Sequence, residues 1–271
     1  MSKIQTVFNY FPRFKGKLRL ANFFIINKKN EREFITPKGI RYCLPNLEEI
    51  VSLELYVNGV YEKDTIEFIC NSIPQNGVFI DVGANIGAIC LEVAIARPDI
   101  TVYAFEASPK VFSYLKKNKE QNNTNNLYIY NLAVHEENNI ELPFYSPLNQ
   151  NGKGSFAPVF TNIPELVKTI RLDEFFNKNY IQPDLIKVDV EGYEILVFKS
   201  LSNFKHMNKT ILLFEFVDWA EDLAKYKKGA AQAYLLEQGF KLISFSTNKP
   251  ILKEVVIGSE MIVGIPKSTI S

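Results

Sequence analysis

The sequence is poor in the residues that build metal centres and disulfide frameworks. Its 271 residues include three cysteines and two histidines, and these form neither a CxxC pair nor a zinc-ligand spacing. Cys43, Cys70 and Cys90 lie far apart in the chain, in the pattern of reduced, buried thiols. We therefore expect no metal site, no disulfide framework and a cytoplasmic location.

The sequence also lacks an excess of charge of one sign, and it has no long apolar run. Lys and Arg number 31 against 30 Asp and Glu, so the formal net charge is +1 and the global signal of a nucleic-acid binder is absent. The longest apolar runs, such as TILLFEF, have the length of a strand, and the start of the chain lacks the order of a signal peptide. We expect no nucleic-acid partner, no transmembrane segment and no leader.

The first stretch of the chain is both aromatic and basic. It reads MSKIQTVFNYFPRFKGKLRLANFFIINKK. The simpler interpretation is a helix and a strand that pack on the rest of the protein. The alternative is an arm that makes peripheral contact with a membrane surface or docks on a partner. The pattern does not reveal the oligomeric state.

After this start the chain changes from an irregular preamble to a regular alternation. FITPKGIRYCLPN predicts a hairpin, and NLEEIVSLELYVNGV and YEKDTIEFICNSIP predict helices. VFIDV, ITVYAFE, NLYIYNLAV, DLIKVDV and TILLFEF then read as buried strands separated by helices, and FKLISFS and EMIVGIP as an antiparallel pair. Such alternation is typical of an α/β fold with a doubly wound, mostly parallel sheet. We expect residues 1–74 to form an extension packed on the core, and the region at about 136–172 to be an insertion.

The first strand of the alternation ends in an aspartate and runs into a glycine loop. In VFIDVGANIGA, Asp81 closes the apolar run, and Gly83 and Gly87 bracket the turn. Ligands of doubly wound sheets bind outside the carboxyl ends of the strands, where glycine allows close approach to the backbone. Glu106 ends the next strand, where a carboxylate can accept hydrogen bonds from ribose hydroxyls. These features predict an adenosine-containing ligand.

The charge of the loop indicates which adenosine-containing ligand is bound. A dinucleotide fingerprint needs a third glycine, which is absent, and a P-loop needs a Gly-Lys-Ser/Thr sequence, which is also absent. Asp81 would repel a pyrophosphate but suits a cation. S-adenosyl-L-methionine carries a sulfonium and an ammonium without phosphate, so it fits better than a nicotinamide dinucleotide.

Four motifs, FIDVGANIG, YAFEASP, TIRLDEF and IKVDVEGYE, together resemble the FkbM family of S-adenosylmethionine-dependent methyltransferases. NGVYEKDT is similar to a further family stretch, so the resemblance spans roughly residues 57–217. It implies a seven-stranded Rossmann-like methyltransferase domain over residues 75–271, with S-adenosyl-L-methionine as cofactor and S-adenosyl-L-homocysteine as product. FEASP departs from the family, which more often has proline directly after the glutamate.

The resemblance also implies where each part of the cofactor binds. The glycine loop lines the methionine part, Glu106 holds the ribose, and NLAVHEE lies near the adenine. The implied cofactor-binding residues are Glu62, Asp81, Gly83, Ala84, Asn85, Gly87, Glu106, Ala107, Ser108, Ala133, Val134 and Asp189. The preamble at 47–73, with Tyr56 and Tyr61, is expected to cover the cofactor from the other side.

Methyl transfer to a hydroxyl needs a group that accepts the hydroxyl proton. Strand alternation would put Asp189 and Glu191 on one face at the end of DLIKVDV, so either is the first candidate, with His135 second. Glu191 and Glu194 could instead cap the next helix. Glu215 is a further candidate for contact with the acceptor, and PFYSPLNQNGKGSFAPVF is a candidate acceptor lid.

The function expected from these residues and from the resemblance is O-methylation of a sugar, a glycan or a small hydroxylated metabolite. The alternatives are N-methylation of RNA or protein and a scaffold that binds the cofactor without catalysis. The near-neutral charge, and the lack of an Asn-Pro-Pro-Tyr-type motif after IKVD, count against the first alternative.

Overall fold

The computed structural model describes residues 16–146 and 161–267, together with Phe8, Phe14, Gly154 and Phe156. Its N-terminal part contains the predicted hairpin followed by the two predicted helices. The elements are helix α1 (Lys17–Phe24), strands β1 (Arg32–Ile35) and β2 (Arg41–Leu44), and helices α2 (Ile50–Asn58) and α3 (Lys63–Ser72). The hairpin turn and the end of α2 each use a glycine with positive φ, Gly39 and Gly59.

The rest of the chain alternates strands and helices as predicted. The strands are β3 (Val78–Val82), β4 (Thr101–Phe105), β5 (Leu127–Tyr130), β6 (Ala133–Val134), β7 (Glu141–Phe144), β8 (Glu165–Ile170), β9 (Leu185–Val188), β10 (Ile211–Val217), β11 (Phe240–Ser244), β12 (Pro250–Ile251) and β13 (Ser259–Pro266). The helices are α4 (Cys90–Ala96), α5 (Pro109–Asn122), α6 (Leu172–Asn179), α7 (Glu194–Lys199), α8 (Asp218–Leu223) and α9 (Ala230–Glu237). Ser108 caps α5, since its hydroxyl accepts a hydrogen bond from the Val111 N–H at 3.3 Å.

The main sheet has the order β12-β11-β13-β10-β9-β3-β4-β5. The strands from β10 to β5 run parallel, and β13 inserts antiparallel between β10 and β11. Seven of these strands form the predicted mostly parallel Rossmann-like sheet, and the two-residue β12 is an eighth. Within the described ranges, no helix is long and apolar enough to cross a membrane.

The two faces of the sheet are covered by different helices. Phe79 in β3 belongs to one buried cluster, which includes residues of α4, α5 and the N-terminal hairpin. Its neighbour Ile80 belongs to a second cluster, which includes residues of α6, α7 and α9. Because successive strand residues point to opposite faces, this division gives the helix–sheet–helix layers of a doubly wound fold.

One predicted strand is two strands in the structure. NLYIYNLAV was expected to be continuous, but β5 ends at Tyr130 and β6 joins a separate sheet of order β6-β8-β7. At the break, the Asn131 side chain donates hydrogen bonds to the carbonyl oxygens of Glu106 (2.9 Å) and Ala107 (3.0 Å). These bonds occupy carbonyls just beyond β4, and the chain leaves the main sheet there.

Candidate active site

A cavity of about 570 Å³ opens at the carboxyl ends of the central parallel strands. This is the position at which doubly wound sheets bind ligands. Ten of the predicted catalytic and cofactor-binding residues line it: Asp81, Gly83, Ala84, Asn85, Glu106, Ala107, Ala133, Val134, Asp189 and Glu191. The fold therefore brings the glycine loop, the ends of β4 and β9 and the start of β6 to one site.

The floor of this cavity contains a buried lysine between two carboxylates. Lys187 in β9 lies directly opposite Asp81 in β3. Its Nζ is 3.6 Å from Asp81 Oδ1 and 3.2 Å from Asp189 Oδ2, and the Lys187 and Asp81 side chains are only 2% and 1% exposed. The sequence analysis assigned the charge of Asp81 to a bound cation alone. That assignment was incomplete, because Asp81 already has an internal cation as its neighbour.

Burial and charge act in opposite directions on this pair. Burial raises the pKa of Asp81, and Lys187 partly offsets that shift. Burial lowers the pKa of Lys187, but the carboxylates of Asp189 and Asp81 outweigh it, so the net pKa shift is upward. Lys187 therefore carries its charge. Asp81 Oδ1 is buried and accepts no hydrogen bond, so it has room for a further donor.

The glycine loop after β3 is shaped by protein contacts. Gly83 has a φ of 80°, and a Cβ placed on it would lie 1.9 Å from the backbone oxygen of Asp189. A Cβ on Gly87, which has a φ of 89°, would lie 2.8 Å from Cδ1 of Leu115, so the Leu115 side chain would have to shift. The contact at Gly83 would require glycine even without a ligand, and it holds the loop close to the end of β9.

Glu106 ties this loop to the chain after β4. Its Oε2 accepts a hydrogen bond from the Asn85 N–H at 2.9 Å, and its Oε1 accepts one from the Ser108 N–H at 2.8 Å. Burial raises the pKa of Glu106 to about 7, although the two N–H donors act in the opposite direction. Each oxygen retains a lone pair, so the side chain can also accept a hydrogen bond from a hydroxyl in the cavity.

The segment after β9 differs from the expected strand. β9 ends at Val188, and Glu191 has a φ of 53°, so alternation does not put Asp189 and Glu191 on one face, and that expectation was wrong. Glu194 lies in the first turn of α7, but the helix has no side-chain cap, because Glu194 Oε1 accepts hydrogen bonds from the N–H groups of Val190 (3.1 Å) and Gly192 (3.2 Å), which precede the helix. Asp189 and Glu191 both line the cavity, although they are not paired by strand geometry.

Three predicted cofactor-binding residues support the site without lining the cavity. Ser108 caps α5, Gly87 packs against Leu115, and Glu62 starts α3 with a φ of 41°. The Oε2 atom of Glu62 is buried and has no hydrogen-bond partner. Glu62 is also close enough to Lys187 to raise its pKa. A direct contact of these three residues with a cofactor remains a prediction.

His135, the second candidate for a base, is also not part of the cavity wall. It is buried, and its Nδ1 accepts a hydrogen bond from the Glu137 N–H at 3.0 Å. Burial lowers the pKa of His135. Its ring centroid lies 6.0 Å from that of Phe156, which does line the cavity. His135 is thus one layer behind the wall.

The N-terminal preamble covers the cavity as expected, with Tyr61 on the wall as predicted. Glu49, Ile50, Val51 and Tyr61 line the cavity. Tyr56 was expected there and is instead buried in the core, with its ring 5.7 Å from that of Phe34.

Aromatic side chains form another part of the wall, which we call the aromatic end. Phe156 packs edge-on against Phe144 at 5.3 Å and against Tyr193 at 5.0 Å between ring centroids. All three line the cavity, together with Gly154 and Trp219. The rest of the predicted acceptor lid, at 147–153, 155 and 157–160, lies outside the described residues.

The cavity wall is strongly acidic. Among the described lining residues there are seven carboxylates and one basic side chain, Lys187. The carboxylates are Glu48, Glu49, Asp81, Glu106, Asp189, Glu191 and Glu215. Glu215 accepts a hydrogen bond from the Ser259 hydroxyl at 3.1 Å, and burial, then Asp189, raises its pKa to about 7. Such a wall attracts cations and repels phosphates.

Four residues of this site were not predicted from the sequence: Lys187, Tyr193, Trp219 and Ser259. A signal existed for Lys187, because a lysine inside the otherwise apolar strand LIKV needs a buried partner. No comparable pattern marks Trp219 and Ser259, which reach the cavity from α8 and from the start of the antiparallel strand β13.

Comparison with known proteins assigns the chain to a family. The model of the Methyltransferase FkbM domain matches residues 81–242, from Asp81 in the cavity floor to Leu242 in β11. Hexuronic acid methyltransferase AglP of Haloferax volcanii is 31% identical over 165 residues, which cover 60% of this chain and 64% of AglP. Methyltransferase 1 of Beauveria bassiana is 27% identical over 176 residues, which cover 57% of this chain and 68% of that relative.

Among solved structures, the putative transferase PH0793 of Pyrococcus horikoshii aligns with a TM-score of 0.46 and 14% identity. The alignment covers 92% of this chain and 82% of that one. The aligned region spans less than two thirds of the length of AglP. The family model covers more than half of this chain and includes both the glycine loop and the end of β9. The chain belongs to the FkbM family of methyltransferases.

Proposed function

We propose that the protein transfers the methyl group of S-adenosyl-L-methionine to a hydroxyl of a sugar, a glycan or a small metabolite. The observation that carries this proposal is the acidic cavity at the carboxyl ends of β3, β4 and β9, whose described wall has seven carboxylates and one lysine. A ligand with a sulfonium and an ammonium is attracted there, whereas the pyrophosphate of a nicotinamide dinucleotide is repelled.

The residues present fit this cofactor. Asp81 Oδ1 and Glu62 Oε2 are buried oxygens without hydrogen-bond partners, which suits an ammonium donor. Glu106 has lone pairs left for ribose hydroxyls, and Ala133 and Val134 offer an apolar wall for the adenine. Lys187 lies within 3.6 Å of both aspartates and partly offsets the rise that burial causes in the pKa of Asp81. The cofactor supplies an electrophilic methyl group.

The aromatic end of the cavity is the proposed acceptor site. Phe144, Phe156 and Tyr193 present ring faces and edges of the kind on which sugars stack. Asp189, Glu191 and Glu215 line the same cavity and offer carboxylates that can accept the acceptor's hydroxyl proton as the new carbon–oxygen bond forms. The pKa of about 7 for Glu215 suits a base that works near neutral pH. The name of AglP, a hexuronic acid methyltransferase, supports a sugar as acceptor.

Labelled methyl transfer tests this proposal. The protein is incubated with methyl-tritiated cofactor and a panel of nucleotide sugars, glycolipids, RNA and protein. Label in a sugar-containing compound supports the proposal, and label only in RNA or protein would favour the alternative of N-methylation. No transfer to any acceptor, with cofactor bound, would favour the scaffold.

A matched pair of variants then tests the role of Asp189. Asp189→Asn should keep its affinity for S-adenosyl-L-homocysteine and slow transfer about tenfold or more. Asp222→Asn changes an exposed carboxylate paired with Lys228 and serves as the control. Equal turnover in the two variants would refute a role for Asp189 in the reaction.

A further inference from the structure

The basic charge of the chain is concentrated at its start. Residues 1–30 contain seven of the 31 Lys and Arg residues and none of the 30 Asp and Glu residues. The remainder of the chain therefore has a net charge of −6, although the whole has +1. A block of one sign beside aromatic residues is the composition of a segment that interacts with an anionic surface.

Helix α1 turns an apolar stripe towards solvent. Its buried face includes Lys17 and Ala21, which pack on the protein. Leu20, Phe23 and Phe24 follow the i, i+3, i+4 spacing of a single helix face and are exposed. Phe23 is 83% exposed, so no described residue covers it. An amphipathic helix normally buries its apolar side, whereas this stripe of α1 adjoins the buried face at Lys17 and Ala21 and stays exposed.

Apolar and basic side chains continue this stripe. Ile26, just after α1, is 73% exposed, and Phe14 before it is also exposed. Arg19 and Lys29 are exposed beside them. The next acidic residue along the chain, Glu31, is turned towards α5, where it accepts a hydrogen bond from the Tyr114 hydroxyl at 2.8 Å. The residues that α1 and its flanking segments contribute to this stripe are therefore apolar and basic.

This surface adjoins the mouth of the candidate active site. Ile50, at the start of α2, lines the acidic cavity and also lines a groove formed with Phe14, Leu18 and Arg19. A surface on which α1 rested would lie beside the cavity entrance. The two neighbouring regions have opposite charge, so the basic surface suits docking and the acidic cavity suits binding of the cofactor.

We propose that the α1 surface, defined as Phe14, Arg19, Leu20, Phe23, Phe24 and Ile26, docks on an anionic lipid bilayer. Aliphatic and aromatic side chains insert at the boundary of the headgroups, while Arg and Lys contact anionic headgroups. A second copy of the chain fits less well, because an isologous contact would bring two basic surfaces together. When the protein is bound to the bilayer, its cavity entrance lies close to acceptors carried on lipids.

Vesicle flotation with the full-length protein tests this inference, and it needs no methyl-transfer activity. The probe is vesicles of phosphatidylglycerol and phosphatidylcholine, compared with vesicles of phosphatidylcholine alone. The wild type should float with the anionic vesicles and lose most of this binding at high salt. Phe23→Ser/Phe24→Ser should reduce the bound fraction at least about tenfold, and Arg19→Glu/Lys29→Glu should reduce it on anionic vesicles.

A matched control separates this surface from exposed apolar residues in general. Leu252 and Ile257 are 91% and 81% exposed and lie on the loop before β13. Leu252→Ser/Ile257→Ser should float like the wild type. Unchanged affinity of Phe23→Ser/Phe24→Ser for S-adenosyl-L-homocysteine shows that this variant is folded, so a loss of flotation belongs to the surface.

Three results would overturn the inference. The first is a wild type that binds neither kind of vesicle. The second is equal flotation of Phe23→Ser/Phe24→Ser and the Leu252→Ser/Ile257→Ser control. The third is that the wild type binds no vesicles but forms a dimer or a complex with single-stranded RNA, and that Phe23→Ser/Phe24→Ser dissociates this assembly. Failure of flotation leaves the proposed methyl transfer untouched, since that proposal has its own assay.

Discussion

The two ends of the cavity are built in different ways. At the glycine-loop end, Asp81 and Lys187 come from adjacent parallel strands, and Glu106 is fixed by two backbone N–H donors. At the other end, Phe144, Phe156 and Trp219 come from the small sheet, the inserted segment and α8. The first end is set by the main sheet, and the second by elements attached to it.

This difference means that the two ends depend on fixed partners to different degrees. Buried charges at strand ends need fixed partners, because an unpaired charge there would cost several kcal/mol. Aromatic walls tolerate changes of shape, since ring contacts are individually worth only about 1 kcal/mol. We therefore expect changes at the charged end to affect folding and cofactor affinity, and changes at the aromatic end to affect the acceptor.

The largest effect should follow from removing the buried lysine. Lys187→Met leaves Asp81 and Asp189 without their cation, so we expect a loss of about 3–5 kcal/mol in the free energy of unfolding. Urea denaturation measures this loss. The control is Lys199→Met, which breaks the exposed ion pair with Glu136 (3.1 Å) and should cost at most about 1 kcal/mol.

A second substitution sharpens this result. In Lys187→Met, the further change Asp81→Asn removes one unpaired charge and should restore part of the lost stability. If Lys187→Met were as stable as Lys199→Met, the buried charges would not govern this end of the cavity.

The next effect concerns the glycine loop. Gly83→Ala would place a methyl 1.9 Å from the Asp189 oxygen at a φ of 80°, so we expect a loss of about 2–4 kcal/mol. Gly39→Ala is the matched control, because Gly39 has a φ of 85° and nothing within 4 Å of a Cβ. It should lose only about 1–2 kcal/mol. Thermal unfolding of both variants measures the difference. Equal losses would show that the positive φ alone, and not the contact with the Asp189 oxygen, causes the loss of stability.

A smaller and more selective effect is expected at the aromatic end. Phe156→Ala removes ring contacts with Phe144 and Tyr193, so the KM for the acceptor should rise about tenfold. The affinity for S-adenosyl-L-homocysteine should stay within about twofold. Tyr128→Ala, on β5 and away from the cavity wall, is the control for steady-state kinetics. A large loss of cofactor affinity in Phe156→Ala would mean that the two ends are not separate.

The smallest effect is a pH dependence from Glu106. Its pKa is raised to about 7 by burial, so the free protein gains stability from this carboxyl below about pH 4.5 and loses that gain as the pH rises through 7. Binding has the opposite sign, since the ionised form is the better acceptor for ribose. Affinity for S-adenosyl-L-homocysteine should fall about fivefold from pH 7.5 to 6, and this slope should flatten in Glu106→Gln. An unchanged slope in that variant would assign the titration to another group, such as Glu215.

The sequence predicted the charged end of the site better than the aromatic end. Asp81 and Glu106 follow apolar strands, and parallel strands bring their carboxyl ends to one edge, so their meeting could be predicted. The partner of Asp81 was missed because the register of β3 and β9 that places Lys187 opposite it is a long-range property. Trp219 and Ser259 depend on how α8 and β13 are placed in space, which no local pattern encodes.

For the fold too, the features that follow from local sequence patterns were predicted best. The mostly parallel sheet, the hairpin and the antiparallel end were predicted from periodicity, and Ser108 was predicted as a helix cap. Two boundaries were wrong for local reasons. Asn131 bonds to carbonyls beyond β4 and divides a predicted strand, and the left-handed conformation of Glu191 follows the end of β9.

Calorimetric titration with S-adenosyl-L-homocysteine, compared with NAD, tests the central claim most directly. The account predicts saturable binding of S-adenosyl-L-homocysteine at one site, a loss of about 1–3 kcal/mol of that binding in Glu106→Ala, and no binding of NAD. Absence of heat with S-adenosyl-L-homocysteine, or equal affinity for NAD, would contradict the claim that this acidic cavity holds a phosphate-free adenosyl ligand.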